Sequence, residues 1–183
     1  GFAEYAVAPE KALINKPSNL SFEDAAALPM AGITALQALQ KKGQIKEGDK
    51  VLIVGSGGGV GTFAVQLARY FESEVTAICS TRNVEQSLSL GANYVIDYTR
   101  QEFTHNKNCY DIILAINGSQ TLATYKRMLK KGGRYIMVGG SLSQIFSSLV
   151  FGWFFSFGSK KMGSLAAKSN SNDLEFIAKL AGE

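Results

Sequence analysis

Residues 51–61 read Val-Leu-Ile-Val-Gly-Ser-Gly-Gly-Gly-Val-Gly, and few backbone paths accommodate that order. The four leading apolar residues, three of them β-branched, predict a short buried strand. The glycines then turn the chain, and from Val60 the apolar positions fall at helical spacing: Val60, Phe63, Ala64, Leu67, Ala68 and Phe71. Strand, glycine turn and helix in that order form the start of a dinucleotide-binding βαβ unit. Bare backbone can approach a pyrophosphate closely, and the N–H groups of a helix start present partial positive charge to it. Five glycines allow several overlapping registers. The preferred one is Ser56-x-Gly58-x-x-Gly61, which sets Gly58 against the phosphates and Gly61 where the helix crosses the strand. A tight turn that binds nothing is the alternative. A P-loop is disfavoured, because no Lys-Ser or Lys-Thr pair follows the glycines.

The rest of the chain repeats the alternation. Strands are expected near 51–55, 75–79, 94–96, 111–115 and 134–138, with helices near 59–71, 84–90 and 119–129 between them. Gly91 and Gly132-Gly133 stand where helices should stop. Strands joined by helices of this length require a parallel sheet, so the fold class is α/β: a Rossmann-type doubly wound parallel sheet with helices on both faces. Ahead of it, residues 2–16 alternate weakly and read as one or two strands. Ser21 can cap a helix that Pro29 interrupts, and a second helix covers about 34–41. Lys160–Lys168 reads as a further strand, at a sheet edge where subunits can pair, and 171–181 as a terminal helix. Ile145–Phe157 is apolar and aromatic but far short of the roughly 20 residues that span a bilayer. It reads as a buried or interface segment, or as an aromatic wall for an apolar substrate.

Composition narrows the class. Apolar residues are 46% and charged ones 19% of the 183, ordinary for a globular domain, and the excess of 19 − 15 = 4 basic residues is dispersed. Neither a nucleic-acid footprint nor a membrane span is expected. Cys79 and Cys109 lack disulfide or metal spacing, and with no signal peptide a reducing, cytoplasmic setting is the default. The chain opens without Met and stops inside a helical pattern, which reads as an excised domain.

The cofactor is chosen at the end of the second strand, about 20 residues past the glycines, where an acid selects NAD and a small polar residue with a nearby Arg admits the 2′-phosphate of NADP. Here that stretch is Cys79-Ser80-Thr81-Arg82-Asn83, without a carboxylate between Val75 and Val84. Ser80 can donate to a phosphate oxygen, and Arg82 offers a charged planar fork, so NADP(H) is expected over NAD(H). The same glycine run also resembles the first loop of S-adenosylmethionine-dependent methyltransferases. Those hold the ribose with an acid at that position, whereas Glu74 lies at the strand's other end.

Five segments occur in an order that resembles a known family: Phe2-Ala3-Glu4-Tyr5, Ala26 to Ala35 (Ala-Ala-Leu-Pro-Met-Ala-Gly-Ile-Thr-Ala), the glycine run with Ala64-Val65-Gln66-Leu67-Ala68, Leu90-Gly91-Ala92, and Val95-Ile96-Asp97-Tyr98. They are similar to the medium-chain dehydrogenase/reductase superfamily, in its zinc-independent quinone oxidoreductase (zeta-crystallin-like) branch. The resemblance implies that 1–16 is the tail of a GroES-like catalytic domain and its crossover, and that 17–183 is the NADP-binding Rossmann domain. It implies a pyrophosphate cradle of Ser56, Gly58, Gly59, Val60 and Gly61, and a 2′-phosphate site of Ser80, Arg82 and Tyr98. Asn117 and Gly118, with Val138 and Gly139, would line the nicotinamide side. Thr34 would lie near the nicotinamide, or would serve as a helix-start cap.

Zinc alcohol dehydrogenases carry a ligand cysteine where this chain has Ala27, and the single histidine, His105, lies in a polar loop; no metal site is expected. The resemblance implies hydride transfer from NADPH to a small apolar electrophile, a quinone or an α,β-unsaturated carbonyl, by an intact homodimer. No catalytic residue or proton donor is identified within the chain, and the segment alone is expected to bind cofactor but turn over poorly. A non-catalytic NADPH-binding module is the alternative.

Overall fold

The computed structural model describes residues 3–116, 118, 120–139 and 159–183; the Ile145–Phe157 segment lies outside them. Among the described residues six strands form one all-parallel sheet in the order β3-β2-β1-β4-β5-β6. They are β1 (Lys50–Val54), β2 (Glu74–Cys79), β3 (Tyr94–Asp97), β4 (Tyr110–Ile116), β5 (Leu129–Val138) and β6 (Lys161–Ser164). Among the described residues five α-helices accompany them: α1 (Phe22–Gln37), α2 (Gly59–Tyr70), α3 (Val84–Ser89), α4 (Leu122–Met128) and α5 (Ser171–Gly182).

Alternation along β1 explains why the sheet is covered twice. Val51 and Ile53 enter a core with α1, α2 and α5, whereas Leu52 and Val54 enter another with Phe103, Tyr125, Met128 and Tyr135. Because both faces are buried, the strand reads as an unbroken apolar run rather than an alternating one. The chain winds outward from β1 through β2 to β3, then returns to β4 on the other side of β1, so the sheet's order reverses between β1 and β4.

Three expectations change. Pro29 does not interrupt: α1 runs through it, from its Ser21 cap (Asp24 N–H to Oγ, 3.0 Å) to Gln37, and continues as a π-helical turn over Ala38–Gly43. A mid-helix proline costs about 3 kcal/mol. The turns after it bury Ile33, Ala35, Leu36, Ala38 and Leu39, and that packing outweighs the local penalty. Residues 3–16 form no strand, only a 3₁₀ turn at Glu10–Ala12, with Tyr5, Val7 and Leu13 exposed. Alternation alone does not make a strand where no neighbouring strand supplies a ladder. The expected strand at 160–168 shortens to β6, paired with β5 at the edge of the sheet.

Helix α5 is fastened by a polar clip. Gln37, 3% exposed, donates to the Lys168 carbonyl (2.7 Å) and to Asp173 Oδ2 (2.6 Å), and accepts from the Lys168 N–H (3.0 Å). Lys41 Nζ also reaches Asp173 Oδ2 at 2.6 Å, and Asn170 caps the helix. Burial pushes the Asp173 carboxyl up, but hydrogen bonds from Lys41, Asn170 and Gln37 outweigh it and hold the group below its ordinary value. A depressed carboxyl stabilises the fold above its unfolded value of about 4 and loses that contribution as pH falls through the lower folded value. Thermal melts between neutral and strongly acid pH should therefore show stability dropping below about pH 4. Asp173→Asn should be less stable at neutral pH and should flatten that slope.

Candidate functional site

The site is built at the carboxyl ends of the strands, where the order reverses between β1 and β4. In open α/β sheets this is where ligands bind. A cleft of about 700 Å³ opens there, bordered by Val54 ending β1 and Gly55 after it, Ile78 in β2, Tyr98, Arg100, Glu102 and Phe103 after β3, and Ile116 ending β4.

The glycines of the turn divide by what surrounds them. Gly55 has φ +89°, and a Cβ there would lie 2.4 Å from the Ile116 carbonyl oxygen; only glycine can pass from β1 so close to β4. A Cβ on Gly61 would lie 2.2 Å from the Gly55 oxygen and 2.7 Å from Ser56 Cα, so α2 crosses the turn in backbone contact. A Cβ on Gly57 would meet the Asn83 side chain at 2.1 Å. Gly58 and Gly59 differ: they are exposed, and a Cβ would come no nearer than 3.8 Å and 3.7 Å to any other group. Gly58 is the N-cap of α2, with its carbonyl accepting the Thr62 N–H at 2.9 Å. The next N–H groups, of Gly59, Val60 and Gly61, belong to the first turn and have no intrahelical acceptor. An open backbone floor at a helix start fits a pyrophosphate.

Ser56 does not join this floor. It is fully buried, its hydroxyl lies 2.9 Å from Ser87 Oγ and 3.4 Å from the Ile78 oxygen, and its N–H donates to the same Ile78 oxygen at 3.1 Å. The sequence placed it in the cradle. The structure commits both its donors to joining the turn to β2 and α3, and Ser87 in turn donates to Cys79 Sγ at 3.7 Å.

At the end of β2, Ser80 precedes a 3₁₀ turn of Thr81–Asn83. Arg82 is exposed on that turn, and no described carboxylate pairs with it. Asn83, over Gly57, comes within 3.5 Å of Ser80 Oγ, so one amide joins the glycine turn to the β2 rim. Tyr98 follows β3, 57% exposed beside the cleft, with its N–H donating to the Cys79 oxygen at 3.1 Å. Ser80, Arg82 and Tyr98 are thus gathered on two adjacent turns. Sequence reasoning missed Asp97 beside them. Its carboxylate accepts from Thr81 and Thr99, and those hydrogen bonds hold it below the usual carboxylate range despite some desolvation. The available signal was Asp97 followed two residues later by Thr99, a turn-forming pattern.

Asn117 lies outside the described residues. Gly118 sits over Tyr125: a Cβ there would be 2.5 Å from the Tyr125 hydroxyl. Tyr125 stacks on Tyr135 at 5.0 Å, and burial pushes its hydroxyl up to about 12. It stays protonated at neutral pH and underpins the loop. Val138 is buried in the core, so only its backbone and Gly139 reach that end of β5. Thr34 is neither a cap nor a free hydroxyl; it lies mid-helix and donates to the Met30 oxygen at 2.6 Å. His105 is largely exposed and lies 3.2 Å from Glu102.

An all-parallel sheet in this order, with a glycine turn at its reversal point, defines a Rossmann-type dinucleotide-binding domain. The chain belongs to the zinc-binding dehydrogenase family, whose model matches residues 59–178. It is 39% identical over 145 residues to the chloroplast envelope quinone oxidoreductase homolog of Arabidopsis thaliana, covering 74% of this chain and 44% of that protein. It is 35% identical over 143 residues to the NADPH-dependent alkenal/one oxidoreductase of the same plant, covering 77% and 36%. The quinone oxidoreductase from Coxiella burnetii superposes with a TM-score of 0.80 at 31% identity, over 92% of this chain and 52% of that one. The quinone oxidoreductase from Thermus thermophilus, whose structure was also solved with NADPH, gives 0.74 at 28%, over 91% and 53%. The medium-chain quinone oxidoreductase resemblance drawn from the sequence is borne out. The chain spans less than half the length of these curated relatives. Family membership sets methyl transfer aside, and Glu74 pairs with Lys50 (3.2 Å) at the opposite edge of the sheet.

The family's name implies zinc. Among the described residues no three His, Cys, Asp or Glu side chains gather. Cys79 is buried at the end of β2, and Cys109 stands before β4 at the far edge. This donor set does not fit a zinc ion. Among the described residues no helix is long and apolar enough to cross a membrane.

Proposed function

We propose that this chain is the NADP(H)-binding part of an oxidoreductase that passes a hydride from NADPH to a quinone or to the β-carbon of an α,β-unsaturated carbonyl. The observation that carries the reading is the rim at the end of β2: Arg82 beside Ser80 with no described carboxylate paired to it, and Asp97 on the adjoining turn already committed to neighbouring hydroxyls. The names of the relatives, quinone oxidoreductase and NADPH-dependent alkenal/one oxidoreductase, support the same choice.

In this reading Gly58, Gly59, Val60 and Gly61 offer backbone N–H groups to the pyrophosphate. Ser80 donates to the 2′-phosphate, Arg82 grips it with two N–H groups, and Tyr98 flanks the adenosine. Asn117, Gly118, Val138 and Gly139 border the nicotinamide end, and Thr34, on α1, lies near the nicotinamide. The bound cofactor supplies the hydride. The chain's contribution is position: a backbone floor and a cleft wall that hold donor and acceptor carbons in register. The partner domain that completes the acceptor site is proposed to join at residues 1–16.

Calorimetric titration should give NADPH at least about tenfold tighter binding than NADH, as one or two charge-assisted hydrogen bonds imply. Equal affinities would remove the reading. The longer protein that contains this chain should then oxidise NADPH when given quinones or enones. Tight NADPH binding with no turnover on either acceptor class would favour a non-catalytic module.

A further inference from the structure

Two turns, after β2 and after β3, carry the proposed phosphate contacts, and one carboxylate joins them. Asp97 is the last residue of β3. Its Oδ2 accepts the Thr81 hydroxyl at 2.6 Å, and its Oδ1 accepts the Thr99 N–H at 2.9 Å and the Thr99 hydroxyl at 2.7 Å. The two threonine hydroxyls are 3.1 Å apart, and Arg100 Nε stands 3.6 Å from Oδ2. Main chain reinforces the joint: the N–H groups of Arg100 and Gln101 donate to the Asp97 oxygen, and Tyr98 N–H donates to Cys79. The Asp97 side chain is only 11% exposed.

The positions matter. Thr81 lies between Ser80 and Arg82, and Thr99 directly follows Tyr98. Holding the two threonines therefore fixes the backbone of all three proposed phosphate residues. A carboxylate free on this rim would accept ribose hydroxyls and repel a phosphate. Asp97 has its oxygens turned into the turns, where hydroxyl and N–H donors and Arg100 offset the charge.

We infer that Asp97 is a positioning residue that makes Ser80, Arg82 and Tyr98 one preformed surface, and so sets selectivity for nucleotides bearing a 2′-phosphate without touching the nucleotide. This rests on the NADP(H) reading above. Its test separates the two with fragments of the cofactor, 2′,5′-ADP and 5′-AMP, titrated calorimetrically against wild type, Asp97→Ala, Asp97→Asn and Thr81→Val. Wild type should prefer 2′,5′-ADP. Asp97→Ala and Thr81→Val should weaken 2′,5′-ADP about tenfold while 5′-AMP stays within about twofold, the scale of losing one or two hydrogen bonds that hold charged partners in place. Asp97→Asn keeps an acceptor for Thr99 and gains a donor for Thr81, and should recover most of the preference. Thr81→Val removes a single hydroxyl without a change of shape, so it reports even where Asp97→Ala unfolds. An unchanged preference in Thr81→Val and Asp97→Ala overturns the inference, as does equal weakening of both nucleotides, which marks a purely structural role. A wild type indifferent to the 2′-phosphate overturns the NADP(H) reading itself, and the inference with it.

Discussion

Alanine at Gly61 is expected to lower the melting temperature by about 10 °C and to abolish dinucleotide binding, because one methyl would stand inside the backbone of the turn that α2 crosses. The added carbon would lie 2.2 Å from the Gly55 oxygen and 2.7 Å from Ser56. Neither is the end of a movable side chain. The Gly55 oxygen accepts the Gly58 N–H, and Gly55 and Ser56 both donate to Ile78, so the turn cannot retreat without breaking its bonds to β2. Nor can α2 lift freely, since Ala64, Val65, Leu67 and Ala68 are packed in the core. Overpacking of this kind costs about 3 kcal/mol, and each kcal/mol in a chain of this size shifts the midpoint by about 2–4 °C. Gly58→Ala is the control. Its Cβ would meet only the Gly55 oxygen, at an ordinary contact distance of 3.8 Å, and its φ of −93° suits any residue, so the fold should melt within about 2 °C of wild type. A methyl on the proposed pyrophosphate floor should nevertheless weaken NADPH by about tenfold or more. Calorimetry and thermal melts on both variants check the pair. If Gly58→Ala leaves affinity intact, the phosphates do not lie there.

Those glycines also mark how far the sequence could be read. Strands buried on both faces announce themselves as apolar runs, which is why β1, β2 and β4 fell within a residue or so of their expected places. The glycine turn was legible for a related reason: at three of its glycines a Cβ would clash with protein atoms, and at the other two it would meet only ordinary contacts. What stayed hidden depends on contacts remote in sequence. Pro29 looked like a break because local propensity cannot see the burial of Ile33 to Leu39. Residues 3–16 alternate like a strand, but the ladder that would make them one is not offered by the described residues. Ser56 carried the right chemistry for a phosphate, and only its approach to Ser87, 31 positions away, reveals that the hydroxyl points inward. Asp97 was legible only as part of the Val95-Ile96-Asp97-Tyr98 segment and gained no role of its own, since its decisive partner, Thr81, lies 16 residues earlier on another turn. Chemistry-bearing residues were readable by type; their direction was not.

Arg82→Ala is expected to weaken NADPH by about ten- to a hundredfold and to leave NADH within about twofold, the span of about 1.5–3 kcal/mol that hydrogen bonds between charged groups supply. The sign follows from the rim. With no described carboxylate paired to it, Arg82 loses no partner on meeting a phosphate, and removing it strands none. Stability should accordingly stay within about 0.5 kcal/mol, as for exposed positions generally. Arg82→Lys separates charge from shape, since an ammonium keeps the attraction but lacks the planar fork, and it should recover part of the loss. Exposure brings a further signature: added salt screens the contact, so the NADPH-to-NADH ratio should fall with ionic strength in wild type and hardly move in Arg82→Ala. A variant that loses NADPH and NADH alike would place Arg82 in the common part of the site, and the choice between the two cofactors would then have to be made by Ser80 and Tyr98 alone.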